Sequence, residues 1–379
     1  MNLIFHDNNL HLNFAPLTLT RPVAEIRFGI LTISETWIKL LKPSKSGYFT
    51  EAYLAEKFKK VLDKPAITVA GNIKPDKELA KWVAALKPGE KLEVNKRWIA
   101  SSGVAKKTVK KDKANLLFIE NVWDIFQKNG EAIALDFDLI TAKRKSQPIG
   151  KTNQTLKPSK IFIEKGAKVN FAILNASEGP IYIGKDAEVM EGAIIRGPFA
   201  LGEHAVVKMA AKIYGPTTVG PYSKVGGEIS NSVFQAYSNK GHDGFLGNSV
   251  VGEWCNFGAD TNSSNLMNTY GKLKIHSYLS NKSEQTEITF CGVIMGDHSK
   301  TGINTMLNTA TVVGVSANIF GAGFPNKYVP SFTWGGTESS SKFKLDKAFE
   351  VAQNMMSRRN LNLSSTDKKI LSHLHGLAQ

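Results

Sequence analysis

The chain has 379 residues, 42% hydrophobic and 21% charged, which is globular composition and excludes wholesale disorder. No run approaches eighteen apolar residues, the start MNLIFHDNNL lacks the order of a signal peptide, and two cysteines, Cys255 and Cys291, cannot frame a disulfide scaffold; a cytoplasmic protein without a membrane span is expected. The net charge of +15 favours anionic partners, among them nucleotides, sugar phosphates and coenzyme A.

From residue 1 to about 150, short apolar runs alternate with helical or loop stretches, which predicts an α/β domain over 1–150. Residues 3–5 and 66–70 read as strands, 78–86 has helical spacing, and 116–120 is a further strand candidate. The densest basic run, 106–113, reads as a solvated loop. It has no interleaved aromatic residue for base stacking, so nucleic acid is not expected as a partner. The stretch 14–26, FAPLTLTRPVAEI, resembles the signature of sugar-phosphate nucleotidyltransferases. In that family a glycine-rich turn ending in arginine cradles a triphosphate, and a Pro-Leu-Thr…Pro-Lys stretch reaches toward it. Pro16, Leu17, Thr18 and Pro22 are kept, residues 6–10 stand where the glycines would be, and Val23 replaces the lysine. The resemblance makes Arg21 and Arg27 nucleotide-binding candidates. It also puts Asn72 where the family has the aspartate that holds Mg²⁺, a weaker ligand for a hard cation. Asp7, Asp136 and Asp138 are possible substitutes. Mg²⁺ is expected only if this domain is active, and no metal-ligand set is assigned.

A polar, proline-containing stretch at 143–160 reads as the linker. Beyond it, counting in sixes from Ile183 meets an aliphatic residue eight times in succession, ending at Val219 and Val225. Four places after each aliphatic the residue is small at six of seven positions, and Gly184, Gly202 and Gly220 recur every eighteen residues. Neither the strand period of two nor the helical 3.6 produces this. Three hexads make one coil with three flat faces, aliphatic side chains stacked inside and glycine supplying unusual backbone angles at corners. The clock pauses near Asn231 and resumes at Met295, Leu307, Val313 and Ile319, with Thr301 as a polar exception. Between them, 262–289 reads as a loop projecting from a corner. The prism is expected over 151–335. Pro325, Pro330 and 334–336 end the pattern, and a tail, 336–379, carries two amphipathic helices packed on the prism.

This hexad pattern resembles left-handed parallel β-helix proteins, and the resemblance supplies the handedness. It also implies acyl transfer from a thioester of coenzyme A or a carrier protein, and trimers with the site between neighbouring prisms. The segment 240–247, KGHDGFLG, followed by 251–253 and 256–259, resembles the acetyltransferase part of bifunctional N-acetylglucosamine-1-phosphate uridyltransferase/glucosamine-1-phosphate acetyltransferases. On that resemblance His242 is the general base, and Asn256 and Asn265 lie in the sugar-phosphate and acyl-donor site. Lys240 and Lys272, with Lys274, can hold phosphate as point charges. The family's tyrosines are Phe245 and Leu266 here, its lysine falls at Ser230, and a serine near the donor is replaced around Ile303. The chemistry suits histidine: attack of a sugar amine on a thioester needs a proton acceptor active near neutrality. The expected protein is a homotrimeric sugar-nucleotide-pathway transferase using acetyl-CoA as donor. Sugar-1-phosphate nucleotidyl transfer, or non-catalytic ligand binding, are the alternatives.

Overall fold

The computed structural model describes residues 1–60, 63, 65–337 and 339–378. A mixed sheet forms the first layer: β1 (Asn2–His6), β2 (Ser46–Phe49), β3 (Ala66–Ala70), β4 (Glu90–Val94), β5 (Arg97–Ser102) and β6 (Lys107–Lys111), in the order β2-β1-β3-β5-β4-β6. Strands β2, β1 and β3 run parallel, and β5 is antiparallel to both β3 and β4. Helices α1 (Ile33–Leu41), α2 (Lys77–Ala84), α3 (Asp124–Gln127) and α4 (Asn129–Thr141) complete the layer. Thr32 caps α1 reciprocally with Glu35, and Asp76 caps α2, so local chemistry sets both starts. The basic run is not a loop. It forms edge strand β6, where Lys107 reaches Glu90 and Lys113, just beyond the strand, reaches Asp76 and Glu78; lysines on an edge deter pairing with other chains. Residues 116–120 do not make a strand. They are held extended by Leu117 and Asn72 carbonyls and one bridge between Ile73 and Phe118.

The second half is a left-handed parallel β-helix. Its three faces contain stacked parallel strands, one short strand per face per coil. The first face runs from Gln154–Leu156 to Met306–Leu307, the second from Ile161–Ile163 through nine strands to Tyr328–Val329. The third runs from Lys168–Val169 to Asn239–Lys240, continues through a bridge at Asn256, and resumes at Lys300–Thr301 and Asn318–Ile319. The first coil thus begins inside the stretch read as linker. The pause near Asn231 is a pair of shortened coils: second-face strands start at 217, 233 and 250, where eighteen-residue steps precede them. The excursion of 265–290 carries an antiparallel hairpin, Lys274–Ser277 with Lys282–Gln285. It does not project. Ile275 and Leu273 are buried with the first domain's core, and His276 stacks on Tyr328 at 3.5 Å. Periodicity also outlasts the prolines, since Thr333–Gly335 still pairs in parallel with Asn318–Ile319 before antiparallel Ser340–Lys342 reverses it.

The interior is the aliphatic column read from the sequence, Ile183, Val189, Ile195, Leu201, Val207, Ile213, Val219 and Val225, all essentially solvent-free. Burying each such side chain contributes about 1.5–3 kcal/mol. The glycine clock has a different cause from the one expected. Gly184, Gly202 and Gly220 are not in the left-handed region; a Cβ there would collide with the backbone of the next coil, for Gly220 with the Gln235 carbonyl. The left-handed positions fall two residues later, on Asp186, His204, Tyr222, Tyr237, Trp254, His298 and Ser316.

The three prism faces differ in what covers them. The first domain docks on the second face, where Thr218 Oγ1 donates to the Gly29 carbonyl at 3.0 Å and Gly130 of α4 meets Pro216. Helices α5 (Leu345–Ser357) and α6 (Ser365–Leu377) pack on the edge between the second and third faces, over Trp254 and Phe332. Helix α6 also reaches the first domain, where His373 stacks on Tyr53 at 4.3 Å. The first face carries exposed Ile173, Ile194, Tyr214 and Met306. No helix among the described residues is long and apolar enough to cross a membrane.

Close coil approach makes a direct prediction. Gly220→Ala should destabilise the protein by about 1–3 kcal/mol or more in urea unfolding. Gly241→Ala, with open space around its Cβ position, should stay within about 0.5 kcal/mol of the parent. Equal effects of the two would contradict this account of the glycines.

Candidate functional site

The left-handed corner residues stack because every coil repeats the same backbone path. His204, Tyr222, Tyr237, Trp254 and His298 form a ladder of rings with centroid separations of 4.8, 5.2, 4.2 and 6.4 Å. Beside its middle, between the third face and α5, lies a cavity of about 790 Å³, a size that accommodates a nucleotide-like molecule. Tyr237, Trp254, His242 and Asn256 line it, with Lys208, Lys224 and Lys300 from the coils and Arg358 and Arg359 from the end of α5.

His242 sits at the corner between the third and first faces. It is exposed and also borders a shallower hollow with Met190, Lys208 and Met209. Its neighbour Lys240 does not point into the cavity. Val225, Lys240, Phe257, Thr301 and Ile319 follow one another in the third-face column, so Lys240 occupies an interior slot and is 1% exposed. Its ammonium donates to the carbonyls of His242 at 2.7 Å and Asp243 at 2.9 Å, tying down the loop that presents the imidazole. Burial lowers the Lys240 pKa to about 8, with Asp243 and Asp260 opposing the shift. Burial lowers that of Lys300, whose Nζ donates to the His298 carbonyl at 2.8 Å, to about 8 as well. Thr301, the polar exception of the clock and two rungs from Lys240 in this column, shares a hydrogen bond of 2.8 Å with Thr261.

The other candidates lie elsewhere. Asn265 donates to Asn248 Oδ1 at 2.7 Å at the base of the 265–290 excursion, and Lys272, on that excursion, donates to the Glu287 carbonyl. Neither lines the cavity with His242 and Asn256. In the first domain Arg21 is buried in the interface between domains. It pairs with Glu253 at 2.8 Å and with Asp297, which also accepts from Thr20 at 2.7 Å. Burial opposes the Arg21 charge, but the carboxylates of Asp297 and Glu253 outweigh it and raise its pKa. Arg27 is likewise buried: its Nε donates to the Gln235 carbonyl at 2.8 Å, and Gln235 Nε2 returns a bond to the Arg27 carbonyl at 3.2 Å. Asn72 is buried and donates to the Ile119 carbonyl at 2.8 Å.

These residues do not fit a magnesium site. The Asp7 carboxylate receives the Val23 N–H at 2.9 Å and the Thr50 hydroxyl at 2.5 Å. Asp136 is sealed in a buried pair with Lys74 at 2.7 Å, and Asp138 is exposed on α4. Of these four residues, Asn72 alone leaves a buried oxygen, Oδ1, without a partner, and one neutral donor does not hold a hard dication.

Sequence reasoning missed the cationic side chains of the cavity and its aromatic wall. A signal for the wall exists: each ladder residue immediately precedes a small buried one, namely Ala205, Ser223, Ser238, Cys255 and Ser299. No comparable signal marks Arg358 and Arg359, which enter through tertiary packing of α5.

Residues 3–145 match the family described as sugar nucleotidyl transferase. Over 175 residues the chain is 35% identical to the bifunctional protein GlmU of Methanocaldococcus jannaschii, covering 44% of this chain and 41% of that protein. It is 32% identical over 154 residues to the bifunctional sugar-1-phosphate nucleotidylyltransferase/acetyltransferase of Sulfurisphaera tokodaii, covering 40% and 38%. The matches thus span about two fifths of the length of these relatives. Among solved structures, the polySia-specific acetyltransferase NeuO aligns at 14% identity and TM-score 0.30 over 55% of this chain and 94% of that one. The UDP-N-acetylglucosamine acyltransferase from Campylobacter jejuni aligns at 16% and TM-score 0.24 over 61% and 97%.

Two predictions follow from the buried charges. Arg21→Met, which strands Glu253 and Asp297 in the interface, should cost about 3–5 kcal/mol in denaturant unfolding; a loss near zero would mean the contact is not formed. Lys240 binds its proton less tightly folded than unfolded, so the unfolded chain holds more protons between pH 8 and its ordinary value near 10.4. Stability contributed by this group should therefore rise with pH from about 8. The difference in unfolding free energy between the parent and Lys240→Met, measured at pH 7.5 and 9.5, should change in the parent's favour.

Proposed function

We propose that the chain is an acyltransferase acting on an amino-sugar phosphate or nucleotide-sugar, with acetyl-CoA as donor and His242 as general base. The observation that carries the reading is the exposed imidazole at the rim of a cationic cavity that also contains Asn256. The amine nitrogen attacks the thioester carbonyl carbon, forming the C–N bond. His242 accepts the amine proton, the C–S bond breaks, and the proton passes to the departing thiolate to give a free thiol. General-base assistance of this kind contributes about 10²- to 10⁴-fold in rate. The similarity to two bifunctional relatives supports the same reaction class.

In this reading 1–150 is a nucleotidyltransferase-like domain, 151–335 the catalytic prism and 336–379 a tail that walls the cavity. The exposed apolar residues of the first face make it the surface on which neighbouring prisms meet in a homotrimer, with His242 at its edge. A cytoplasmic setting belongs to the same reading. A second activity, nucleotidyl transfer from an NTP to a sugar 1-phosphate, is favoured by the family match over residues 3–145. Against it, the Arg21 guanidinium pairs with Glu253 and Asp297 of the prism, and Arg27 Nε donates to the Gln235 carbonyl.

Thiol release from acetyl-CoA with glucosamine 1-phosphate and UDP-linked amino sugars tests the main reading. His242→Ala should lower the rate about 10²- to 10⁴-fold, and an unchanged rate would overturn the assignment. Pyrophosphate release from NTPs with sugar 1-phosphates tests the second activity in the same preparation.

A further inference from the structure

Five cationic side chains converge on the cavity, and among the described residues none of them forms an ion pair. Lys208, Lys224, Lys300, Arg358 and Arg359 have no carboxylate partner among the described residues, and they face one another across a single concavity. Among the described residues, no acidic side chain lines the cavity. The like charges act on one another: burial, then Arg359, Lys208 and Arg358, lower the Lys224 pKa, and only Glu188 opposes them. Arginines just past a helix C-terminus are modestly favoured by the helix dipole. That accounts for Arg358 and Arg359 following α5 but not for lysines contributed by three different coils. A concave site with several cations and no counter-charge selects an anion carrying more than one negative charge.

We propose that this cavity binds a diphosphate group, gripped by Arg358 and Arg359 from the end of α5 and by Lys208 and Lys224 from the coil edge. The position of the site, one cavity shared with His242, makes the ligand a substrate of the transfer; that identification rests on the acyl-transfer reading, whereas the charge of the ligand does not. Two sources carry the group: the phosphorylated-nucleotide end of coenzyme A, and the diphosphate of a nucleotide-sugar acceptor. Because α5 belongs to the same chain as the lysines, a single subunit supplies all four cationic groups.

Calorimetric titration of the full chain with inorganic pyrophosphate, coenzyme A and a uridine diphosphate sugar tests the site. Pyrophosphate should bind, and raising the salt concentration should weaken it. The double variant Arg358→Gln/Arg359→Gln should lose roughly tenfold or more in pyrophosphate affinity. Lys208→Gln, on the opposite wall, should lose several-fold, which guards against a fold defect in the tail; thermal melting is compared for each variant. The same losses for coenzyme A or for the diphosphate sugar identify the source. Absence of pyrophosphate binding, or unaltered affinity in folded variants, overturns the proposal. Arginine-dependent pyrophosphate binding without thiol release from acetyl-CoA would sink the acyl-transfer reading and leave the site standing. His242-dependent thiol release with unaltered pyrophosphate affinity in the arginine variant would do the reverse.

Discussion

The parallel hydrogen-bonded stacking of coils governs everything built on this prism. Adjacent strands sit about 4.8 Å apart, so whatever one coil places at a given phase lies directly above its predecessor. Inside, that repetition produces an aliphatic column. At one corner it produces a pile of aromatic rings, because side chains from successive left-handed residues have the right spacing to stack face to face. It also demands glycine where neighbouring backbones nearly touch. One phase thus yields core, wall and corner at once, and a site arises where the phase is broken. Lys240 in an aliphatic slot and Thr301 facing Thr261 are such breaks, and the first of them holds the loop that carries His242.

The two halves are joined by polar and charged contacts rather than by apolar packing alone. Arg21 with Glu253 and Asp297, and Arg27 with Gln235, cross between domains at sequence separations of more than 200 residues. The segment that resembles a triphosphate-binding signature therefore serves in this chain as a docking element. Glu253 immediately precedes Trp254, and Asp297 precedes His298, so the docking carboxylates share their corners with the aromatic ladder. The first domain and the cavity wall are connected through adjacent residues of the same coils.

Much of the architecture was legible in the sequence because its causes are local and repeated. Hexad phase located the prism, amphipathic spacing located α5 and α6, and β1 and β3 stood out as short apolar runs. What the sequence does not show has a common physical origin, contacts between residues far apart along the chain. Sequence neighbours say nothing of the partners that Arg21 and Arg27 hold on the prism, Glu253 and Gln235. Asn256 and Asn265 are nine residues apart, yet a single coil carries one to the cavity and the other to the excursion. Nothing nearby in sequence announces that the slot of Lys240 faces inward. The arginines after α5 were invisible for the complementary reason: only the packing of the tail brings them to the coil edge.

The reversed strand Ser340–Lys342 lies beside the last parallel strand of the third face. A solenoid made of parallel rungs is in principle endless, since its final rung offers the same unpaired amides that any earlier one did. Turning the chain back at that point replaces a repeating template with a mismatched one, which discourages a second molecule from continuing the spiral end to end. On this face the last rung is thereby already paired, so it presents no free parallel edge.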